Sequence, residues 1–359
     1  LTGCRPNGRV ASVSFERNKQ FLKDLFAGSF RGHGIVVSPP WPPNPAGDFL
    51  CSESPAQDWG PWIEARYEAM AAHAMAVDDD SVPYVGLNTN TGIFAAAFGC
   101  RLHVYEGMDT NASALPAVET AEEADGLPDP DPLSAPSLAR FFEIAALARS
   151  RLGPDAPIGV PDIQSPFDIA ALVWKKENLL LALYERPDAV KRLVEKCHRL
   201  LSGFLRTFIK EFGNVNLCHC PTAWAPPELG VWLSEDEAGS VSTEMFEEFC
   251  LPSLVALSRE FGGLFMHCCA AADHQYGSFL KIPHLRGLNR VFQSPGPMPA
   301  IRAFSGKTVL IQAWLDEKEI GRFLDMALPN TRYLFNPGPL PVEEAKRLVE
   351  RFKNAVGRS

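Results

Sequence analysis

Short apolar, β-branched runs alternate along this chain with longer stretches whose apolar residues recur every three or four positions. Gly34-Ile35-Val36-Val37 precedes a helical pattern from Pro61 to Met75, and Pro157-Ile158-Gly159-Val160 precedes another from Ile169 to Tyr184. Further strand candidates stand at Gly230-Val231-Trp232-Leu233, Gly263-Leu264-Phe265-Met266, Thr308-Val309-Leu310-Ile311 and Arg332-Tyr333-Leu334-Phe335. Strand and helix patterns in this order mark parallel βα units, so the pattern predicts an α/β fold. It covers nearly the whole chain.

The clearest helix is expected to be capped by Asp188 and to carry Val190, Leu193, Val194, Cys197, Leu200, Leu201, Phe204, Leu205, Phe208 and Phe212 on one face before Gly213 stops it. A second follows Ser242, with Met245, Phe246, Phe249 and Cys250 facing inward until Pro252 bends or interrupts it. Cys197 and Cys250 on these faces read as small buried hydrophobes rather than reactive thiols. Pro341 opens a closing helix with Val342, Ala345, Leu348, Val349 and Phe352 inward. Pro116 to Pro136, rich in Pro, Asp, Glu and Ala, reads as a surface connection.

With 359 residues and 46% of them hydrophobic, the chain can bury a large core. Its formal charge of -9 argues against a broad nucleic-acid surface, leaving a small molecule as the expected ligand. Nine cysteines, clustered and odd in number, read as thiols or metal ligands, which places the chain in a reducing cytoplasm. No apolar stretch is long enough for a membrane helix, and no membrane partner is expected. Leu1-Thr2-Gly3-Cys4 has the pattern of a lipoprotein cleavage site, but with no hydrophobic segment ahead of it the expectation is an unlipidated chain.

The strongest chemical signal is Phe265-Met266-His267-Cys268-Cys269-Ala270. Alternate strand residues point the same way, so His267 and Cys269 share a face while Cys268 takes the other. Imidazole and thiolate together suit zinc, which in catalytic sites takes three protein ligands and leaves one position open. Two ligands fall short of that, and the alternative is a hydrogen-bonded core histidine among packed thiols.

Phe98-Gly99-Cys100-Arg101-Leu102-His103-Val104-Tyr105-Glu106-Gly107, Pro166-Phe167-Asp168-Ile169-Ala170, Leu183-Tyr184-Glu185-Arg186-Pro187-Asp188 and Val241-Ser242-Thr243-Glu244-Met245-Phe246-Glu247-Glu248-Phe249 with Pro252 resemble, in order and spacing, segments of the uroporphyrinogen decarboxylase superfamily. The resemblance implies one (β/α)8 TIM barrel over residues 1–359. That superfamily contains porphyrinogen decarboxylases and zinc-dependent methyltransferases that move methyl groups between corrinoid proteins and thiols. Its decarboxylases carry an Arg-rich segment near the start, where this chain has Ser38-Pro39-Pro40-Trp41-Pro42-Pro43, so porphyrinogen decarboxylation is disfavoured. The methyltransferases are similar in their His-X-Cys strand, matched here by His267 and Cys269, and add a cysteine in an Asn-Pro-Gly-Cys-like turn. Here that turn reads Asn336-Pro337-Gly338-Pro339, and Ala270 replaces the usual Gly.

The third ligand is therefore sought in Cys218 and Cys220, with His219 between them and His274 a weaker candidate. Asp162 and Asp236, at strand ends where barrel active sites lie, are the expected acid/base residues, and Asp236 matches an acidic position of the superfamily. Gln164, Trp41 and Asn336 are the expected substrate contacts. The leading reading is a zinc-dependent, methyltransferase-like enzyme moving a methyl group from a corrinoid on a partner protein to a thiol. Two alternatives are a metal-free lyase or decarboxylase acting on a small carboxylated substrate, with Arg101 or Arg286 pairing to it, and a non-catalytic ligand-binding barrel.

Overall fold

The computed structural model describes residues 8–42, 54–105 and 112–358; the Leu1-Thr2-Gly3-Cys4 start, Pro43 and Glu106-Gly107 lie outside them. Among the described residues ten strands form: β1 (His33–Ile35), β2 (Arg101–Val104), β3 (Ala112–Leu115), β4 (Ile158–Gly159), β5 (Val215–Asn216), β6 (Val231–Ser234), β7 (Leu264–Cys268), β8 (Leu285–Arg290), β9 (Val309–Ala313) and β10 (Tyr333–Asn336). Six of them make one parallel sheet in the order β1-β10-β9-β8-β7-β6. Short pieces of backbone close the ring. Asp80 N donates to Ile35 O at 2.9 Å, Val85 bridges Ile158, and Gln164 bridges Ser234, with Ser234 N on Ile163 O at 2.8 Å. The eight barrel positions are thus β1, residues 80–87, residues 158–164 and β6 to β10, and the fold is the expected α/β barrel. The short β5 pairs with β4 below the point where Gln164 meets Ser234.

Two apolar populations explain the closure, because successive strand residues point to opposite faces. Val36, Tyr84, Trp232, Phe265, Ile311 and Leu334 pack inside the barrel, whereas Val37, Val85, Leu233, Met266, Leu310 and Phe335 pack against the helices outside. Trp232 stacks on Phe265 with ring centres 5.4 Å apart, and Phe26, from the helix Gly8–Ala27, meets Phe265 edge-on at 4.9 Å. At the lower rim, Gly230 and Gly263 let neighbouring backbones touch: a Cβ on Gly263, whose φ is +155, would lie 2.2 Å from Leu229 O.

The long helix runs Pro187–Phe212, with Pro187 in its first turn and Arg186 at its cap; Asp188 lies inside the first turn rather than capping it. The stretch from Ile169 to Tyr184 divides into helices Pro166–Val173 and Lys176–Glu185, parted at Trp174. Ser242 caps its helix by accepting from Met245 N, and the chain passes Pro252 by widening residues Phe246–Cys250 into a π-type turn, which absorbs the missing N–H. Cys197 and Cys250 are fully buried, as their helical faces imply. Within the Pro-rich stretch a capping box of Thr120 and Glu123 supports one short helix, Ala121–Gly126. The helix Val342–Ala355 closes the chain. Among the described residues no helix is long and apolar enough to cross a membrane.

Arg286 does not serve the lyase alternative. Arg101 is exposed on the β2-β3 hairpin, and Arg286 lies near the start of β8 beside Phe26 and Ala27, at the opposite end from the barrel mouth.

Candidate functional site

The inward positions at the upper ends of the strands turn polar: Ser234 on β6, His267 on β7, Asn289 on β8 and Asn336 on β10 are all buried. Phe265, two residues before His267, faces the interior, and Cys268 joins the outer cluster. The alternation expected of His267-Cys268-Cys269 therefore holds, and Cys269 emerges exposed at the mouth. Asp236 stands two residues beyond β6. Its Oδ1 accepts from Cys269 N at 2.6 Å. One donor atom each from Asp236, His267 and Cys269 lie within 4.8 Å of one another.

Neighbouring groups fix the orientation of these donors. Asn289 Nδ2 donates to Ile311 O at 2.7 Å, which leaves its Oδ1 facing His267 Nδ1 at 2.6 Å. Only an Nδ1–H satisfies that oxygen, so Nε2 keeps the free lone pair. Asp236 is held in turn by Asp168, whose carboxylate accepts from Asp236 N at 2.7 Å and Glu237 N at 3.0 Å. Asp168 and the fully buried Glu235 are both pushed above the usual carboxylate range, first by burial, with neighbouring acidic groups adding to it.

Cys220 joins the edge of this group, its Sγ 3.7 Å from His267 Nδ1. Burial, with Asp162 and Asp236 nearby, pushes its thiol up to about 12. The Cys269 thiol rises to about 11, through burial and then Asp236. Cys218 is not brought to the group. Its Sγ donates to Pro221 O at 3.3 Å, and it packs among Tyr84, Trp224, Trp232 and Phe265 inside the barrel. His274 faces Val241 O at 3.0 Å and is also apart.

Asp162 and Gln164 stand beside the site. Gln164 Nε2 donates to Asp162 Oδ1 at 2.6 Å, and Asp162 N donates to Thr89 Oγ1 at 3.2 Å. Burial raises the Asp162 carboxyl to about 6. The buried His219 lies 3.7 Å from Asp162 Oδ1 and is driven down to about 3 by burial, so it stays neutral. Asn336 is committed to the loop over the mouth: its Nδ2 donates to Thr222 O and its Oδ1 accepts from Gly338 N. Trp41 lies under the guanidinium of Arg66. Asp168 entered the sequence reading only within the Pro166-Phe167-Asp168-Ile169-Ala170 resemblance, with no site role, and Asn289 carried no signal there, since each polar side chain looks like ordinary surface or capping chemistry.

The donor set, one imidazole nitrogen, one thiol and one carboxylate at the end of barrel strands, fits a zinc ion with an open fourth position. Histidine anchored through its other nitrogen is the usual companion of such a site.

No curated protein matches the chain in a search by sequence. Among solved structures it resembles a methyltransferase from Methanosarcina mazei, with 14% identity and a TM-score of 0.65, covering 93% of this chain and 98% of the other. The homocysteine methyltransferase MmuM from Escherichia coli in its oxidized form is more distant, at 10% identity and a TM-score of 0.33, covering 98% of this chain and 90% of the other. The first likeness shows a shared fold. The family model described as uroporphyrinogen decarboxylase (URO-D) matches residues 22–287, well over half the chain, and the protein therefore belongs to the URO-D family.

Proposed function

We propose that this protein is a methyltransferase-like enzyme of the URO-D family, a single barrel domain over residues 1–359, that moves a methyl group from a corrinoid donor to a thiol. The observation that carries the proposal is the convergence of Asp236, His267 and Cys269, with Asp236 supplying the third ligand that the Asn336-Pro337-Gly338-Pro339 turn lacks. Asp236 thereby takes a ligand role instead of the proton-handling role its position first implied. Zinc bound there supplies positive charge that lowers the pKa of a thiol in its open position.

The chain's own residues do the rest. Asn289 holds His267 with Nε2 free. Asp168 and the Cys269 amide fix Asp236. Asp162, with a carboxyl at about 6, is suited to accept the proton that the acceptor thiol gives up, and Gln164 holds it in place. Cys220 borders the site as a further sulfur donor within reach of His267. A methylated corrinoid would supply the methyl group to the thiolate sulfur and would keep the electron pair of the broken bond. The corrinoid is assigned to a partner protein and the acceptor is a small molecule. The thiols of Cys100, Cys197, Cys218, Cys220, Cys250, Cys268 and Cys269 are all free, which supports a reducing, cytoplasmic setting.

The test is metal content after purification without chelator, for the native chain and for His267→Ala with Cys269→Ala, followed by methyl transfer from methylcobalamin to a panel of thiols. Stoichiometric zinc lost in the double variant, together with thioether formation, is expected. Absence of metal even after zinc is offered under reducing conditions would sink the proposal.

A further inference from the structure

Three neighbouring strands start at one stretch of the lower rim, and each brings a basic side chain to it. His284 immediately precedes β8, Arg286 is its second residue, Lys307 stands two residues before β9, and Arg332 immediately precedes β10. His284, Arg286 and Lys307 line a cleft of about 330 Å³ whose other wall is apolar, made by Phe26, Leu280 and Ile282. Among the described residues no carboxylate lines it. Lysines nearby in the chain are paired, Lys23 with Glu228 and Lys281 with Glu247. Lys307 is exposed and gives one N–H to Ala303 O at 3.0 Å, which leaves its charge uncompensated.

Rim glycines make room for the two arginines. A Cβ on Gly263 would stand 3.1 Å from Arg286 Cγ, and one on Gly28, whose φ is +88, would stand 3.3 Å from Arg332 Nη1. Arg332 is buried and tied to the backbone through Leu25 O and Lys307 O. Arg286 is half-buried and not tied: among the described residues it has no hydrogen-bonded or ion-paired partner, and its Nε is buried without one. Burial lowers the pKa of Arg286; burial and then Arg286 itself lower that of Arg332. Two guanidinium groups thus act on one another across the rim, in a chain whose formal charge is -9. A guanidinium with a buried N–H and no acceptor is costly until an anion meets it, and its planar fork matches two oxygens of a phosphate group.

We infer that this cleft at the lower rim is a phosphate-binding site in which Arg286 and Lys307 hold the oxyanion. The wall of Phe26, Leu280 and Ile282 suits an organic group attached to that phosphate, so a phosphate ester is the expected ligand over the free anion. The cleft lies at the opposite end of the barrel from His267, and its ligand is therefore separate from the reactants of the metal centre. The inference does not depend on the methyl-transfer reading.

Calorimetry on the full chain at fixed ionic strength, with inorganic phosphate, phenyl phosphate and uncharged phenol, tests this. Both phosphates are expected to bind and phenol is not. Tighter binding of phenyl phosphate supports the site with an ester as its ligand, and equal binding supports it with free phosphate. Arg286→Gln and Lys307→Gln are each expected to weaken both phosphates about tenfold, and together to abolish binding, with the melting temperature in phosphate-free buffer unchanged. The variant His267→Ala with Cys269→Ala is expected to bind phosphate like the native chain. No binding by the native chain at millimolar phosphate overturns the site, as does affinity that survives both lower-rim substitutions or is lost with His267 and Cys269. Should Arg286→Gln fail to fold, the exposed Lys307→Gln decides alone: unchanged affinity there overturns the inference.

Discussion

Replacing Asn289 with leucine removes both ends of a buried relay while keeping the side-chain volume close. In the native chain Asn289 accepts from His267 Nδ1 at 2.6 Å and donates to Ile311 O at 2.7 Å. Without it the imidazole is no longer confined to the tautomer that leaves Nε2 free, and a buried N–H loses its acceptor. Loss of such an anchoring group typically weakens metal affinity by about 10–100-fold, or about 1.4–2.8 kcal/mol. Leaving the N–H unpaired costs about 1–3 kcal/mol of stability, whereas the Ile311 carbonyl keeps Gln312 Nε2 as a donor at 2.8 Å. The assay is competition for zinc against a chromophoric chelator, with a melting curve on the same sample. Asn289→Asp, which keeps the acceptor and adds charge, should retain or tighten zinc. A folded Asn289→Leu protein that binds zinc like the native chain would refute the argument that Asn289 sets the donor nitrogen.

Three further outcomes are expected. Asp236→Asn should lower bound zinc well below one per chain by metal analysis, whereas Cys218→Ser should leave it unchanged, because the Cys218 thiol is turned toward Pro221; equal loss in both would remove Asp236 from the ligand set. Gly263→Ala should cost about 3 kcal/mol or more in a denaturant titration, since the new Cβ meets backbone rather than a movable side chain; a change under about 0.5 kcal/mol would show that the rim can shift. Burial holds the half-buried His33 at about 4 in the folded chain, below its ordinary 6.5. Below pH 6.5 the unfolded chain binds the proton that folded His33 refuses, so stability should fall from about pH 6.5 to about pH 4, and His33→Gln should flatten that part of the melting-temperature profile.

The barrel was legible wherever a strand's inward and outward residues were both apolar, as in Val231-Trp232-Leu233 and Leu264-Phe265-Met266. It was hidden in β8, Leu285–Arg290, where the inward positions are Gly287 and Asn289 and no apolar alternation survives. For the same reason the anchor of His267 went unseen. His267 and Cys269 could be paired from strand periodicity alone, but the third donor could not: Asp236 comes from the neighbouring strand, and only the register of β6 on β7, with Ser234 opposite His267, brings it close. The search for that donor in Cys218 and Cys220 followed residue type, and folding separates those two thiols because Cys218 turns into the barrel while Cys220 stays at its rim. Arg66 sits in mid-helix, where a charge ordinarily faces water; Trp62 is one turn earlier on the same face, but Trp41 is brought to it only by the fold.

Asp236 and Cys269 are only 33 residues apart in the chain, on consecutive βα units. An ion gripped there would act as a short-range clasp on one layer of the barrel rather than a strap across its ends. Closure entropy grows only slowly with loop length, so a clasp over 33 residues removes nearly as much of it as a longer strap would. The benefit should appear as slower local opening: amide hydrogens of β6 and β7 should exchange more slowly when metal is added, while those of β1 and β10, on the far side of the ring, should barely respond.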